Sequence, residues 1–275
     1  MNAIAEVVES IERQSNDICW SIDILGDSGD RLASLDRDRV CETASIGKVL
    51  LLIEAAAQIS EGSLSATESL SRNPELTVHD SGLWQHLQVD SLSVGDCIGL
   101  IAASSDNLAT NVLLARVGLD AVAVRARNLG LTSTSLNDFV RDVRTAEHPA
   151  VLSFGTASEL SQLMWRVRNG EVVSRHISQQ VLHWLSLNTD LSMVASAFRF
   201  DPLAHFEPDR GLSLYNKTGT NDGVRCDIGV VSGPTGTVTY AVLANWHRLA
   251  NHDPLRDEVM DAMGRLGQAI RANIA

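Results

Sequence analysis

The sequence predicts an α+β fold in which one antiparallel sheet is built from both ends of the chain and a helical region is inserted between them. Two observations predict it. Apolar and polar residues alternate near the N-terminus and again in the last third of the chain, whereas the apolar residues between these regions recur at helical spacing. Because sheet segments bury their apolar faces by packing together, we expect a five-stranded sheet flanked by the terminal helices.

The N-terminal elements are a helix, two strands and a long apolar helix. Ile4, Val7, Val8 and Ile11 lie on one face of the first predicted helix. The alternation at 18–24 predicts a strand, and a Gly- and Asp-rich turn leads to a second strand at 31–35. The segment 45–60 predicts the next helix, which Gly62 ends.

The middle of the chain is mainly helical in pattern. The predicted helices are 94–103, 108–117, 120–129, 157–168 and 179–187. Between the third and fourth of them, 131–155 has no periodicity and carries mixed charge, which predicts a long loop of the kind that is usually functional.

The last third predicts strands at 212–217, 226–232 and 237–244, followed by a helix at 253–272. The turn 233–236 joins the second and third of these strands. We therefore predict a discontinuous sheet domain, 1–43 with 212–275, and a helical domain, 44–211, with the functional site where they meet.

Composition narrows the classes of function. The 275 residues include 34 acidic and 22 basic side chains, which gives a net charge of −12. A surface of this charge repels phosphate backbones and anionic lipid headgroups, so we expect neither nucleic acid nor membrane as a partner. The hydrophobic content of 44% is that of an ordinary globular protein.

Cysteine, histidine and N-terminal patterns exclude other classes. The four cysteines, Cys19, Cys41, Cys97 and Cys226, form no C-x-x-C pair, and we favour buried thiols over two disulfides. The eight histidines form no zinc motif, and there is no phosphate loop, so we expect no metal and no cofactor. The N-terminus has no signal-peptide pattern, which predicts a cytoplasmic protein unless a signal was removed.

The basic residues single out two positions. Twenty of the 22 are Arg, and only Lys48 and Lys217 are Lys. Arg serves wherever a permanent positive charge suffices, whereas Lys supplies a compact ammonium whose pKa is tunable. The two lysines therefore either have such a role or remain by chance.

Ser45-Ile46-Gly47-Lys48 opens the apolar helix. Residues three apart lie on one helix face, so the Lys48 amine can reach the Ser45 hydroxyl and act as the base that a serine nucleophile needs. On its own this pattern is more typical of a serine at a helix N-cap.

Two further motifs follow in order. Ser105-Asp106-Asn107 lies between two predicted helices, and Lys217-Thr218-Gly219 ends a predicted strand. S-x-x-K, S-D-N and K-T-G together are the signature of class A β-lactamases and penicillin-binding proteins. The chain resembles a class A serine β-lactamase over nearly its whole length, and Asn111 fits the family's asparagine after S-D-N.

The resemblance implies a role for each motif residue. Ser45 would be the acylated nucleophile, Lys48 its activating partner, and Ser105 the relay that passes a proton to the leaving nitrogen. Asn107 would bind a substrate amide, and Lys217, Thr218 and Gly219 would bind the substrate carboxylate. The N–H groups of Ser45 and Thr220 would form the oxyanion hole, and Arg225 is a candidate second carboxylate anchor or a structural salt bridge. Asn111 would be mainly structural.

The sequence departs from the family in the long loop, where the family has a Glu that activates the deacylating water. Ungapped alignment places Val140 at that position, whereas a shorter loop would bring Asp138 there. We expect Asp138 and Asp142 to be solvated loop charges, with Asp138 as a possible deacylation base. Trp84 would either line the mouth of the site or pack in the core.

The sequence therefore predicts a serine hydrolase that cleaves a carboxylate-bearing β-lactam or a related amide or ester of a small molecule, with impaired deacylation. The alternatives are a penicillin-binding receptor that is acylated without turnover and a cytosolic peptidase or esterase on the same fold.

Overall fold

The computed structural model describes residues 3–14, 17–247 and 253–275. Within these ranges the α-helices are α1 Ala3–Gln14, α2 Lys48–Glu61, α3 Val94–Ser104, α4 Asn107–Val117, α5 Leu119–Asn128, α6 Ala157–Arg168, α7 Arg175–Leu185 and α8 Pro254–Ile274. The strands are β1 Ile18–Leu25, β2 Arg31–Leu35, β3 Cys41–Glu42, β4 Ser69–Ser71, β5 Ser91–Ser93, β6 Ser135–Leu136, β7 Ser153–Gly155, β8 Ser213–Asn221, β9 Val224–Gly233 and β10 Gly236–Trp246.

Both ends of the chain contribute to one sheet. Five strands pair in the order β2-β1-β10-β9-β8, and all four pairings are antiparallel. In the central seam Ile22 of β1 lies opposite Val242 of β10. The predicted mixed α+β fold with a five-stranded antiparallel sheet is confirmed.

The sheet is covered on both faces. On one face Ile22 and Val242 pack with residues of the terminal helices, such as Ile4 of α1 and Ile270 of α8. On the other face Leu243 and Ile228 belong to a second core that includes α2 to α7. Successive residues of β10 therefore enter different cores, which explains why the strand is almost continuously apolar.

Several element bounds differ from the predictions. Ser45 lies in a 3-10 turn, Ala44–Gly47, and α2 begins only at Lys48. Helix α7 begins at Arg175, four positions before the predicted start, because Ser174 caps it by accepting a hydrogen bond from the Ile177 N–H. The long loop also contains the short strands β6 and β7. The division into a sheet domain and a helical domain stays a prediction.

Cys41, Cys97 and Cys226 are buried thiols, whereas Cys19 is an exposed one, and no disulfide joins them. In the ranges given above, no group of three or more His, Cys, Asp or Glu side chains is placed to hold a metal ion. In the same ranges no single helix is long and apolar enough to span a membrane, and the pair α4 and α5, bent by 81°, meets only length and composition criteria.

Candidate active site

Ser45 lies in a tight turn whose backbone is held in an uncommon conformation. The preceding residue, Ala44, has a φ of 47°, in the left-handed region that residues other than glycine rarely adopt. Such backbone conformations cluster at functional sites. Ser153 of β7 holds the turn, since its Oγ donates to Ala44 O over 2.6 Å and lies 2.8 Å from Thr43 Oγ1. The Ser45 N–H lies in the first turn of the helical segment, where N–H groups have no intrahelical acceptor.

Strand β8 passes very close to this turn. At Gly219 a Cβ would overlap the carbonyl oxygen of Thr43 and touch Ile46, so only glycine allows this approach. Because β8 is the edge strand of the sheet, the backbone groups on its free side are not used for sheet pairing. The exposed Thr220 and the buried Thr218 of this strand line the same cleft as Ser45.

The Lys48 side chain is completely buried and turns toward the S-D-N motif. Its Nζ lies 2.6 Å from Ser105 O, 3.1 Å from Ser105 Oγ and 2.7 Å from Asn107 Oδ1. Burial, and then the charge of Lys217, hold the pKa of Lys48 well below its usual value. None of the three acceptors is Ser45, so the predicted Ser45–Lys48 hydrogen bond is not formed in this conformation.

Lys217 approaches the same serine from the opposite side. Its Nζ donates to Ser105 Oγ over 3.1 Å and to Thr218 O over 2.8 Å. Burial lowers the pKa of Lys217 to about 8, against the opposing effect of Asp190 and Asp227. The lone pairs of Ser105 Oγ can both accept an N–H of a lysine, and its own proton is then free to be donated into the cleft, which Ser105 lines.

The S-D-N motif is fixed by its neighbours. Ser105 has a φ of 55° and ends α3 in the left-handed conformation. Asp106 is buried and caps α4, accepting from Ala109 N–H, and it also accepts from the N–H groups of Leu83 and Trp84. Trp84 is fully buried in the core and does not line the mouth of the site.

The motifs meet at a cleft of about 700 Å³. Of the predicted site residues, those that line it are Ser45, Ser105, Asn107, Thr218 and Thr220. Lys48 and Lys217 lie buried behind the wall that Ser105 forms and are connected to the cleft through its Oγ.

The opposite wall of the cleft is the long loop. Val140 lines the cleft, and Asn111 holds its backbone by donating from Nδ2 to Val140 O and accepting from Val140 N–H. Val140, the residue that ungapped alignment pairs with the family's Glu, therefore lies on the cleft surface. A valine side chain offers no group that accepts a proton from water.

Asp138 is not a solvated charge, which corrects that prediction, and it is not among the residues that line the cleft. Its carboxylate accepts hydrogen bonds from Arg141 and Arg144, each at 2.7 Å. Although burial raises the pKa of Asp138, these hydrogen bonds outweigh it and keep the pKa below its usual value. A carboxylate held in this way stabilises the loop and is a poor proton acceptor.

Asp142 does line the cleft, and it is bound to His79 through the backbone N–H at 2.9 Å and through Nδ1 at 2.8 Å. These bonds hold the pKa of Asp142 below its usual value.

Arg225 is not among the residues that line the cleft, so its assignment as a carboxylate anchor stays a prediction. Its Nη1 donates to the carbonyl oxygens of Asn221 and Val224, and the guanidinium lies over the Trp246 ring. The hairpin between β8 and β9 turns at this point, and its carbonyl groups bind the side chain locally. No salt-bridge partner of Arg225 is found in the described ranges either.

The structure also reveals a buried polar chain behind Lys217 that sequence reasoning missed. Asn188 donates to Asn216 Oδ1, and Asn216 donates to Asp227 Oδ1, which also accepts from Tyr240. Burial raises the pKa of Asp227 to about 7. The available signal was an acidic residue between the apolar residues Cys226 and Ile228 of β9.

Comparisons with known proteins agree with this geometry. The model of the β-lactamase enzyme family matches residues 1–274. A search of curated proteins found no match.

Solved structures of similar fold cover almost the whole chain. A β-lactamase from Sphaerobacter thermophilus DSM 20745 has a TM-score of 0.82 at 22% identity, covering 97% of this chain and 95% of that one. A mutant of PBP-A, as an acyl-enzyme complex with penicillin G, has a TM-score of 0.81 at 20% identity, covering 99% and 96%. A variant of the last common ancestor of Gram-negative bacterial class A β-lactamases has a TM-score of 0.79 at 21% identity, covering 98% and 97%. With the family match over the whole chain, these findings establish that the protein belongs to the β-lactamase enzyme family and has the class A fold.

Proposed function

We propose that this protein is a serine hydrolase that opens a small-molecule amide or ester, a β-lactam among them, through an acyl-enzyme on Ser45. The single observation that carries the proposal is Ser105 Oγ, which lies 3.1 Å from both Lys48 Nζ and Lys217 Nζ at the wall of the cleft. This arrangement supplies a path for a proton from the nucleophile to the leaving atom.

Acylation uses the groups already in place. Lys48, whose lowered pKa favours the neutral amine, takes the proton of Ser45 as Oγ attacks the substrate carbonyl carbon. The Ser45 and Thr220 N–H groups stabilise the oxyanion. As the bond to the leaving nitrogen or oxygen breaks, Ser105 gives that atom its proton and receives one from Lys48.

The cation at Lys217 serves the substrate as well as Ser105. We propose that Lys217 attracts a substrate carboxylate that Thr218 binds at the cleft surface, while Asn107 binds the acyl amide. Asn107 Oδ1 already accepts from Lys48, and its Nδ2 makes only a long 3.4 Å hydrogen bond to His79 O, so Nδ2 is the group left for a substrate carbonyl.

We propose that deacylation is slow. Water attack on the ester needs a general base, which typically contributes about 10²–10⁴-fold. Val140 has no such group, Asp138 is held by two guanidiniums, and Asp142 is bound to His79.

The hydrogen-bonded carboxylates of Asp138 and Asp142 also favour a second candidate, a receptor that is acylated and does not turn over. In support of this candidate, a PBP-A mutant of the same fold has been solved as an acyl-enzyme complex with penicillin G. A cytosolic peptidase or esterase remains within the same chemistry.

Intact mass spectrometry tests the proposal. We expect penicillin G and a chromogenic cephalosporin each to add one acyl group, mapped to Ser45, which decays slowly. Ser45→Ala should abolish the adduct. The matched control is Ser104→Ala, because Ser104 lines the same cleft while its hydroxyl donates to Leu100 O. Labelling that persists in Ser45→Ala would refute the assignment, and rapid turnover without an adduct would refute slow deacylation.

A further inference from the structure

An apolar groove lies beside the catalytic cleft. It has a volume of about 570 Å³, and its large apolar residues are Leu87, Leu92, Leu100, Leu187, Leu203 and Phe206. Three of these are unusually exposed for their type, with Leu203 at 81%, Phe206 at 58% and Leu87 at 42%. A cluster of exposed apolar side chains of this kind usually marks a binding surface.

The groove is continuous with the cleft. Ala103 and Thr189 line both of them. The boundary is a single crossing point, where the backbone N–H and the Oγ1 of Thr189 each donate to Ala103 O over 2.9 Å. A molecule bound in the cleft would have to pass over this hydrogen-bonded pair to reach the groove.

The groove lies on the side of the cleft from which the leaving group departs. Ala103 is two residues from Ser105 in the same helix-end segment, and Ser105 is the proton donor in the proposed acylation. Val140, on the long loop, lines the cleft but not the groove. A substituent on the leaving group, rather than one on the acyl group, is thus directed to the groove.

The charge of the lining restricts the occupant. Neither Lys nor Arg lines the groove, and its carboxylate, Asp96, is already bonded to Ser93 Oγ at the start of α3. His205 also lines the groove, and its Nδ1 lies 3.0 Å from Asp201 O. An apolar substituent would cover the exposed side chains of Leu203 and Phe206.

We propose that the groove is a substrate subsite for an apolar, uncharged substituent on the leaving group of the amide or ester that acylates Ser45. The proposal rests on the proposed function. In the step that it affects, Ser45 Oγ forms the bond to the carbonyl carbon, and the carbon–nitrogen or carbon–oxygen bond breaks. The leaving amine or alcohol takes its proton from Ser105, and its apolar substituent remains in the groove throughout.

A series of esters tests this subsite. All members carry one acyl group, and their leaving groups are unbranched primary alcohols from ethyl to octyl, whose intrinsic reactivity is nearly constant. Burying each methylene is worth about 0.8 kcal/mol, so we expect kcat/KM to rise by about twofold to fourfold per methylene until the groove is filled. Lengthening the acyl group at a constant leaving group should give no such rise.

Two variants remove the apolar surface. Phe206→Ser and Leu203→Ser should each flatten the dependence of kcat/KM on leaving-group length, and because both side chains are exposed, folding should be intact. The matched control is Val124→Ser on α5, where the valine is 45% exposed and lines neither the cleft nor the groove. This variant should retain the wild-type slope.

The outcomes separate the two proposals. Ser45 acylation by the ethyl ester, with kcat/KM independent of alcohol length, would overturn the subsite and leave the proposed function standing. Acylation by none of the esters or β-lactams would overturn both. A concentration-dependent dimer in sedimentation that Phe206→Ser dissociates, together with a flat length dependence, would assign the groove to a second copy of the chain instead.

Discussion

On one wall of the cleft the two lysines are fully buried, and among the described residues neither Nζ is bonded to a carboxylate. On the loop wall, by contrast, Asp138 and Asp142 each have a basic partner. Lys48 and Lys217 donate only to hydroxyl, amide and carbonyl oxygens. On the loop, Asp138 is paired with two arginines and Asp142 with His79. Within one cleft, therefore, the buried lysines are hydrogen-bonded to neutral groups, whereas the loop carboxylates are paired with basic side chains.

The difference separates two functions of charge. A buried ammonium without a counter-ion gives up its proton more easily, which suits proton transfer. A carboxylate bonded to guanidinium groups keeps its charge and fixes the backbone that carries it. The lysine wall therefore suits the proposed acylation, while on the loop wall the carboxylates of Asp138 and Asp142 are both held by hydrogen bonds.

The largest expected effect comes from removing the tunable amines. Lys48→Arg should lower the acylation rate by about 10²-fold or more because Arg does not release a proton. Lys217→Arg should have an effect of similar size because the planar guanidinium does not fit the space of an ammonium. Stopped-flow acylation by a chromogenic cephalosporin measures this. The control is Arg116→Lys, which alters a pair with Glu68 far from the cleft. A wild-type acylation rate in either variant would show that acylation does not require a lysine at that position.

Giving the loop wall a base should sharpen the contrast. Val140→Glu should speed deacylation by about 10-fold to 100-fold, since Asn111 fixes the backbone at a position that lines the cleft. Val140→Gln is the matched control, with the same shape and no basic carboxylate. Decay of the Ser45 adduct by mass spectrometry measures both, and equal decay in the two variants would contradict the prediction.

The pH dependence reports the lysine wall directly. Lys217 acts as a cation, and burial lowers its pKa to about 8, so the acylation rate should fall as pH rises through about 8, by tenfold per unit at higher pH. Lys48 acts as a neutral base, so its ionisation produces the opposite, acidic limb. Rates measured from pH 5 to 10 (about the range in which such groups titrate) check this. A rate that keeps rising above pH 9 (~1 unit beyond that pKa) would contradict the role of Lys217.

The smallest effects concern the stability of the loop wall. Asp138→Asn should lower the free energy of unfolding by about 1–3 kcal/mol, because it leaves two arginines with a neutral partner. Asp142→Asn, at a half-exposed pair, should cost less than about 1 kcal/mol. Since the pKa of Asp138 in the fold lies below its ordinary value of 3.8, this stabilisation is present at neutral pH and is lost as pH falls below that value. Urea titrations of the two variants give the comparison, and equal losses would contradict it.

Motifs could be predicted from the sequence because each carries its own local signal. The three motifs and the strand alternation suffice to predict the sheet and the residues that meet at Ser105. Contacts between distant segments carry no such signal: Ser153 supports Ala44 from 109 positions away. The arginines that bind Asp138 follow it in a loop, where spacing does not determine which side chains face each other.

The seam between β1 and β10 has a consequence for synthesis. The side chain of Asn245 bonds the backbone of Glu42, 203 positions earlier, and β1 has its inner partner only when β10 has been made. At about 5–20 residues per second, the first hairpin leaves the ribosome on the order of ten seconds or more before that partner exists. Its unpaired edge is a template for association with other nascent chains during this interval. We therefore expect yield in cells to depend on the rate of translation and on chaperones that cover β1.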